Sequence, residues 1–137
     1  MKNRTLVEEI MNRDVMALNM NDTVREAENT FRNHFLRHAP VMANGELVGM
    51  LSLVDMKTRT GLEDTQTTSS GSGILPLMVR DVMTPDPVSV QASATVVEAA
   101  RLFAENEFHA LPVLDGDRIA GIISTTDVIR HFLEEME

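Results

Sequence analysis

An α+β fold, built from two repeats of the same β-α-β-β-α order, is the fold class that the sequence predicts. Three observations predict it. The 137-residue chain aligns with itself without a gap when it is shifted by 72 positions. In each half, short apolar segments typical of strands alternate with segments that have the apolar spacing of amphipathic helices. The hydrophobic fraction of 43% is sufficient for a core.

The self-alignment pairs residues 7–55 with residues 79–127 and is unlikely to arise by chance. Identical residues recur at thirteen positions, namely Val7, Met11, Asp14, Thr23, Val24, Glu26, Ala27, Phe31, Pro40, Val41, Gly49, Ser52 and Asp55 and their partners 72 residues later. A unit of about 60 residues is marginal by itself. We therefore expect the two repeats to pack as a pseudo-twofold pair with a shared core.

The predicted domain organisation is one repeat at residues 1–60, a flexible linker at 61–76 and a second repeat at 77–137. The linker prediction rests on a stretch rich in Gly, Ser and Thr, whose small and polar residues cannot bury a face. Its length leaves a second interpretation open, a loop that becomes ordered when a partner binds.

Each repeat begins with a short helix and an extended segment. In the sequence TLVEEIM, the spacing of Thr5 and Glu8 matches a capping box. Extended segments are predicted from Val15 to Leu18 and from Val88 to Val90.

An amphipathic helix follows, predicted from about Thr23 to His34 in the first repeat. One face of this helix and of its copy is apolar, through Val24, Ala27 and Phe31 and through Val96, Ala99 and Phe103. Asn21 or Asp22 is the expected N-cap of the first helix, and Ser93 that of the second.

A strand pair and a final helix complete each repeat. The strands HAPVM and ELVGML are joined through Asn44-Gly45, and HALPVL and RIAGII through Asp115-Gly116, dipeptides typical of tight turns. When the two repeats are aligned, the two turn dipeptides are displaced from each other by one residue, so the two turns need not be of the same type. The last helix begins after Ser52 or Ser124, and Ser124 and Asp127 have capping-box spacing, which explains both residues without any ligand.

Composition and charge exclude several classes of function. The formal net charge of −9 argues against sequence-independent binding to nucleic acid or to an anionic membrane. The absence of Cys excludes disulfides and thiolate metal sites. The N-terminus lacks the continuous apolar core of a signal peptide, and no apolar run approaches the roughly 20 residues of a membrane span. We therefore expect a cytoplasmic protein without a membrane partner.

The motif GIISTTDVIR, residues 121–130, also permits a binding function. A helix N-terminus provides N–H groups and the positive end of the helix dipole, which suit a phosphate. A carboxylate one turn into the helix can accept hydrogen bonds from ribose hydroxyls. The sequence GMLSLVDM, residues 49–56, is the copy of this motif in the first repeat, so a matched pair of sites is expected.

The doubled pattern of Pro-Val, a turn and Gly-h-h-Ser-x-x-Asp, where h is apolar, resembles the cystathionine β-synthase (CBS) domain as a tandem pair. IMNRDV at residues 10–15 and DVMT at residues 81–84 resemble the characteristic start of each repeat. The resemblance implies regulatory binding of AMP, ADP, ATP or S-adenosylmethionine in clefts between the repeats, with no cofactor required. It also implies a homodimer that regulates an enzyme or a transporter.

The resemblance also implies roles for individual residues. Asp127 is expected to hold a ribose, with Ser124 and Thr126 near the phosphate. Val15 and Met16 from the other repeat are expected to line the base, and Ala110 is a further expected ligand-binding residue. The second site is expected to use Ser52, Asp55 and Val54, with Pro87 and Val88. The resemblance also places phosphate-contacting residues at the position that Arg37 and His109 share, with His38 next to Arg37. Val54 offers no hydroxyl where Thr126 does, which weakens the case for the second site.

Three alternatives remain open at this point. Ser124, His109 and Asp127 have the residue types of a nucleophilic triad, but no Gly-x-Ser-x-Gly elbow presents the hydroxyl. A metal site from His38, His109 and carboxylates lacks the usual ligand spacing. The third alternative is a ligand-free homodimerisation or protein-interaction module. His34 and His131 are expected to be exposed helix residues.

Overall fold

The computed structural model describes residues 4–60 and 77–137. The predicted linker, residues 61–76, lies outside the described residues. In chain order the elements are α1 (Val7–Ile10), β1 (Leu18–Asn19), α2 (Val24–His34), β2 (His38–Ala43), β3 (Glu46–Ser52), α3 (Leu53–Thr60), α4 (Val79–Val82), β4 (Thr84–Pro85), β5 (Val90–Gln91), α5 (Val96–Glu105), β6 (Ala110–Asp115), β7 (Arg118–Ser124) and α6 (Thr125–Met136). This mixture of helices and two sheets confirms the predicted α+β class.

The chain forms two compact units, and each unit contains the first segment of one sequence repeat together with the remainder of the other repeat. Unit 1 comprises the described residues up to Val15 together with Pro87–Glu137, and unit 2 comprises the described residues from Met16 to Asp86. We call residues 4–15 and 77–86 the lead-in segments. The predicted domains at 1–60 and 77–137 are drawn on the sequence repeats and stay a prediction about the sequence.

Unit 2 contains a 4-stranded sheet in the order β1-β2-β3-β4. β1 is parallel to β2, and the other pairs are antiparallel. β4, which the sequence did not predict, comes from the second lead-in segment and pairs Thr84 with Met50 and Pro85 with Gly49.

Unit 1 contains a 3-stranded sheet in the order β5-β6-β7. Its counterpart of β4 is a single antiparallel bridge, in which Asn12 N donates to Ile122 O at 2.8 Å and Ile122 N donates to Asn12 O at 2.9 Å. The first lead-in segment thus extends the sheet of unit 1, as the second extends that of unit 2.

Each unit has its own cluster of buried apolar side chains, and each cluster contains residues of both sequence repeats. Val7 and Met11 from the first repeat belong to the cluster of unit 1, and Val79 and Val82 from the second repeat belong to that of unit 2. Backbone bonds fix these insertions, since Val7 N donates to Ala94 O and Val79 N to Asp22 O, both at 2.8 Å. In this sense the repeats share their cores, because each repeat supplies part of the other's core.

Three helix starts differ from the predicted ones. Thr23 and Thr95, not Asn21, Asp22 or Ser93, are the N-caps of α2 and α5, and each accepts a bond from the backbone N of a Glu three residues later. The reciprocal Glu side chain completes a capping box, which the earlier residues cannot form at that spacing. At α1 the N-cap is Leu6, whose N donates to Glu9 Oε2 at 2.8 Å, so the proposed Thr5 and Glu8 pair was one residue early.

The two hairpin turns are of different types, as their register suggested. Asn44 and Gly45 both have positive φ, 53° and 81°, which is the pattern of a type I′ turn. In the second hairpin only Gly116 does, at 67°, which is the pattern of type II′. The Gln91 side chain stabilises this turn by bonds to Gly116 O at 2.9 Å and to Gly116 N at 3.0 Å.

Candidate functional site

The junction between β7 and α6 holds the principal residues of the first predicted site. Ser124 N donates to Asp127 Oδ2 at 2.8 Å, and Asp127 N donates to Ser124 Oγ at 3.2 Å, which confirms the predicted capping box. The other carboxylate oxygen, Asp127 Oδ1, lies 3.9 Å from Arg130 Nη1. A carboxylate accepts about four hydrogen bonds. Asp127 therefore keeps acceptor capacity for a ligand while it caps the helix.

His109 and Ala110 lie at the same junction. The first N–H of α6, that of Thr125, donates to His109 O at 3.0 Å. Ala110 pairs with Ser124 across the β6–β7 ladder. The structure thus brings together His109, Ala110, Ser124 and Asp127, and it leaves the side chains of His109 and Thr126 exposed.

The junction between β3 and α3 in unit 2 has the same arrangement of a strand end, a capping serine and a helix start with an aspartate one turn in. We call this arrangement the frame. Leu53 N donates to Arg37 O at 2.8 Å, and His38 pairs with Ser52 across the β2–β3 ladder. Asp55 N donates to Ser52 Oγ at 2.9 Å. The predicted set of Arg37, His38, Ser52 and Asp55 therefore lies around one helix start.

The two carboxylates differ in what already binds them. Asp127 is tied to Ser124 N and faces Arg130, and its side chain is 24% exposed. The residue at the position of Arg130 in the first repeat is Thr58. The Asp55 side chain is exposed and makes no hydrogen bond or ion pair with any residue in the described ranges 4–60 and 77–137. Asp127 is accordingly the better oriented acceptor of the pair.

The other predicted lining residues are distributed over both units. Val15 belongs to unit 1 with Asp127, but the backbone bridge to β7 is made by Asn12, three residues earlier. Met16 belongs to unit 2, whereas Pro87 and Val88 belong to unit 1. The expected contacts of Val15, Met16, Pro87 and Val88 with a base stay predictions.

Sequence reasoning missed two contributors to the frame. Arg130 stands three residues after Asp127 on α6, a spacing at which helix side chains meet, and this spacing was the available signal. Gly121 and Gly49 are needed for close approach, because a Cβ on Gly121 would lie 2.7 Å from Asn12 O and one on Gly49 would lie 3.0 Å from Thr84 O. The glycine at the start of each motif thus admits a lead-in segment against the strand.

The two predicted exposed histidines differ from each other. His34 is exposed as expected. His131 is only 9% exposed, and its ring lies 5.3 Å from that of Phe132, so the expectation for His131 was wrong. The physical reason is that His131 follows Val128 by three residues, which places it on the buried face of α6.

The geometry gives little support to catalysis or to a metal centre. Ser124 Oγ is occupied as a helix cap, and the contact of His109 with this helix start is made by its backbone oxygen. Within residues 4–60 and 77–137, no group of three or more His, Asp or Glu side chains could hold a metal ion. Over the same ranges, no helix is both long and apolar enough to cross a bilayer.

The sequence model of the CBS domain matches the chain twice, at residues 7–59 and 79–134. This chain belongs to the CBS domain family. Both candidate frames, around Asp55 and around Asp127, lie within the matched residues, one in each CBS repeat.

Known CBS proteins share both the sequence and the fold. The CBS domain-containing protein YhcV of Bacillus subtilis is 29% identical over 122 residues, which cover 89% of this chain and 81% of YhcV. The structure of the CBS-pair protein CBSX2 of Arabidopsis thaliana in complex with AMP has a TM-score of 0.77 and 26% identity, and the match covers 97% of this chain and 99% of that one.

A CBS pair also occurs inside larger enzymes. An inosine-5′-monophosphate dehydrogenase of Korarchaeum cryptofilum is 32% identical over 117 residues, which cover 85% of this chain but 22% of the dehydrogenase. The chain spans less than half the length of several other curated relatives that it matches. The similarity to the dehydrogenase is therefore a similarity to its CBS portion.

Proposed function

We propose that this CBS pair is a regulatory module that binds an adenosine-containing ligand, namely AMP, ADP, ATP or S-adenosylmethionine. The observation that carries the proposal is the frame that occurs twice, in which a Ser-capped helix start lies beside a strand and presents Asp127 or Asp55 one turn in. Such a helix start suits a phosphate, and the carboxylate suits a ribose. The AMP complex of CBSX2 supports the adenosyl class.

The regulatory part of the proposal follows from thermodynamic linkage. A ligand changes the arrangement of the pair only if its affinity differs between two arrangements. The chain itself then needs no catalytic residues, and its effect passes to a regulated enzyme or transporter. A cytoplasmic location and a homodimer belong to the same proposal.

Titration calorimetry with AMP, ADP, ATP and S-adenosylmethionine, with GTP for comparison, tests the proposal. We expect at least one adenosyl ligand to bind and GTP to bind more weakly. Asp127→Asn keeps an acceptor for the helix cap but removes the charge, so affinity should fall roughly tenfold or more, the factor of a charge-assisted hydrogen bond. Asp117→Asn is the matched control, since Asp117 lies in the exposed turn at the other end of β7.

A ligand-free interaction module is the second candidate, and one observation favours it. The residues Ile129, Leu133 and Met136 are 58%, 59% and 80% exposed, and their spacing places them along one side of α6. An apolar stripe of this kind suits a homodimer or a protein partner. If none of the adenosyl ligands binds while a homodimer forms, the interaction module replaces the sensor as the function.

A further inference from the structure

The two units carry opposite charges where their amphipathic helices end, α2 in unit 2 and α5 in unit 1. In unit 2 this stretch, residues 31–36, contains Arg32 and His34 and no carboxylate. In unit 1 the stretch 72 positions later, residues 103–108, contains Glu105 and Glu107 and no Lys or Arg. These four residues are exposed. We call the two stretches the helix-end corners.

Phe35 is the most unusual residue of the unit 2 corner. It is 94% exposed, more than any other large apolar residue in the ranges 4–60 and 77–137. It also ends α2 in the left-handed conformation, with φ 56° and ψ 42°, which glycine and asparagine adopt readily and bulky residues adopt rarely. The helix of unit 1 ends in extended backbone at Asn106 instead. Phe35 therefore adds nothing to the core, and its strained, exposed position suits a contact with a partner.

The aligned positions of the two corners complement each other in pairs. Where unit 2 has Arg32, unit 1 has the small residue Ala104, and where unit 2 has Phe35, unit 1 has Glu107. Positions three apart at a helix end are neighbours on its surface. A basic corner that meets an acidic corner in antiparallel orientation therefore brings Arg32 to Glu107 and, in the same contact, Phe35 to Ala104.

We propose that the partner of the unit 2 corner is unit 1 of a second copy of this chain, so that the homodimer is head to tail. In a twofold dimer each copy gives its basic corner to the acidic corner of the other, and the contact occurs twice. Arg32 Nη2 lies 3.3 Å from Glu28 Oε2, and the remaining guanidinium donors can bind Glu107 of the second copy. This inference rests on the homodimer of the proposed function and specifies its orientation.

The contact sets the orientation of the dimer and supplies only part of its area. A standard interface buries about 1,600 Å² in total, more than two such short stretches can provide. Ile129 and Leu133 of α6 are exposed and available for the remaining area. Charge complementarity excludes wrong pairings more than it raises affinity. A head-to-head dimer would instead gather Glu105 and Glu107 of both copies, and these carboxylates repel each other.

Charge reversal tests the orientation. Sedimentation equilibrium of the ligand-free wild type, Arg32→Glu, Glu107→Arg and the double variant gives the Kd of the dimer. Each single reversal opposes like charges at both contacts, so this Kd should rise roughly tenfold, whereas the double variant restores opposite charges and should return to within about threefold of the wild type. Arg25→Glu makes the same change of charge at the exposed start of α2, so it is the matched control and should leave the Kd nearly unchanged.

Phe35→Asn separates binding from folding. Asparagine is tolerated in the left-handed conformation, so the urea midpoint, measured where the chain is monomeric, should not fall. The Kd of the dimer should nevertheless rise roughly threefold or more, because the ring no longer packs on Ala104 of the second copy. A lower urea midpoint with an unchanged Kd would make Phe35 a structural residue and overturn its role in the contact.

The outcomes separate the orientation from the homodimer and from ligand binding. A dimeric wild type whose Kd is unaffected by either reversal, or is lowered by Glu107→Arg, overturns the head-to-tail assignment and leaves the homodimer standing. A wild type that stays monomeric up to about 1 mM overturns both. Calorimetry with the adenosyl ligands does not depend on either result, so the sensor function is decided separately.

Discussion

Gly121 shows how a single residue admits a distant segment of the chain. A Cβ at this position would lie 2.7 Å from the backbone oxygen of Asn12, which cannot move without breaking the bridge to Ile122. At Gly49 the nearest atom is Met83 Sδ at 2.5 Å, the flexible part of a side chain, and the backbone oxygen of Thr84 is at 3.0 Å. The two glycines are therefore equivalent in sequence but differ in how much their surroundings can yield.

Gly121→Ala should consequently destabilise the protein more than Gly49→Ala. Overpacking against a fixed backbone costs about 1–3 kcal/mol, and the Met83 side chain at Gly49 can relieve part of it. Urea denaturation of both variants and the wild type gives the free energies of unfolding. Equal losses for the two variants would contradict the distinction between a backbone and a side-chain obstacle.

Ser124 has a structural role that is independent of any ligand. Its Oγ accepts the bond from Asp127 N, so Ser124→Ala in the ligand-free protein should lower the free energy of unfolding by about 1 kcal/mol. Ser124→Thr retains the hydroxyl and serves as the matched control. A loss of stability in both variants, or in neither, would show that the cap does not stabilise α6 as the geometry indicates.

At the scale of elements, the lead-in segments join each repeat to the core of the other. α1 lies in the first repeat, yet its residue Val7 and the following Met11 are packed in unit 1 with Val96, Leu111 and Ile123. α4 lies in the second repeat, yet its residues pack in unit 2. Neither sequence repeat by itself contains a complete core.

Val7→Ala should therefore loosen residues of the second repeat. Val7 is 0% exposed, and removal of its two methyl groups should cost about 2 kcal/mol, the transfer and cavity terms combined. Hydrogen exchange should show faster exchange of the amides of β6, β7 and α6. Val79→Ala, also 0% exposed, is the mirror control and should loosen β2 and β3 instead. Faster exchange confined to the repeat that carries each substitution would refute the exchange of segments.

At the scale of the whole molecule, the dominant electrostatic feature is the formal net charge of −9. Two ion pairs, Arg32 with Glu28 and Arg130 with Asp127, lie along helix surfaces, and both arginine side chains are 65% exposed. Exposed pairs of this kind contribute about 0–1 kcal/mol. With this net charge, repulsion among carboxylates should outweigh the local attraction of these two pairs.

Added salt should therefore stabilise the ligand-free protein. Raising NaCl from about 20 to about 200 mM shortens the Debye length from roughly 20 to roughly 7 Å and screens the repulsion. We expect a higher Tm by differential scanning calorimetry, with a similar rise in KCl. A Tm that falls with salt would mean that favourable charge pairs dominate.

Much of the architecture was predictable because its signals are local. The two hairpin turns were predictable because glycine and asparagine tolerate the positive φ that these turns require. The start of α6 was predictable because Ser124 and Asp127 have capping-box spacing. The N-caps of α2 and α5 were misplaced by one to two residues, because several neighbouring polar residues can cap a helix and only Thr23 and Thr95 have a Glu three positions later. His131 was misjudged because its polar type favoured an exposed position, although it stands three residues after the buried Val128 on the same face of α6.

The sequence by itself determined the doubling of the unit, the helix starts with their Ser and Asp pairs, and the difference between Thr126 and Val54. Tertiary structure alone decided that each lead-in segment packs with the other repeat and that β4 forms. It also decided that Gly49 and Gly121 allow the backbone of a lead-in segment to lie close to the strand. The physical reason is the range of the interactions. Caps and turns are hydrogen bonds between residues a few positions apart, whereas the choice of which sheet a segment joins depends on burial and backbone pairing between residues far apart in the chain.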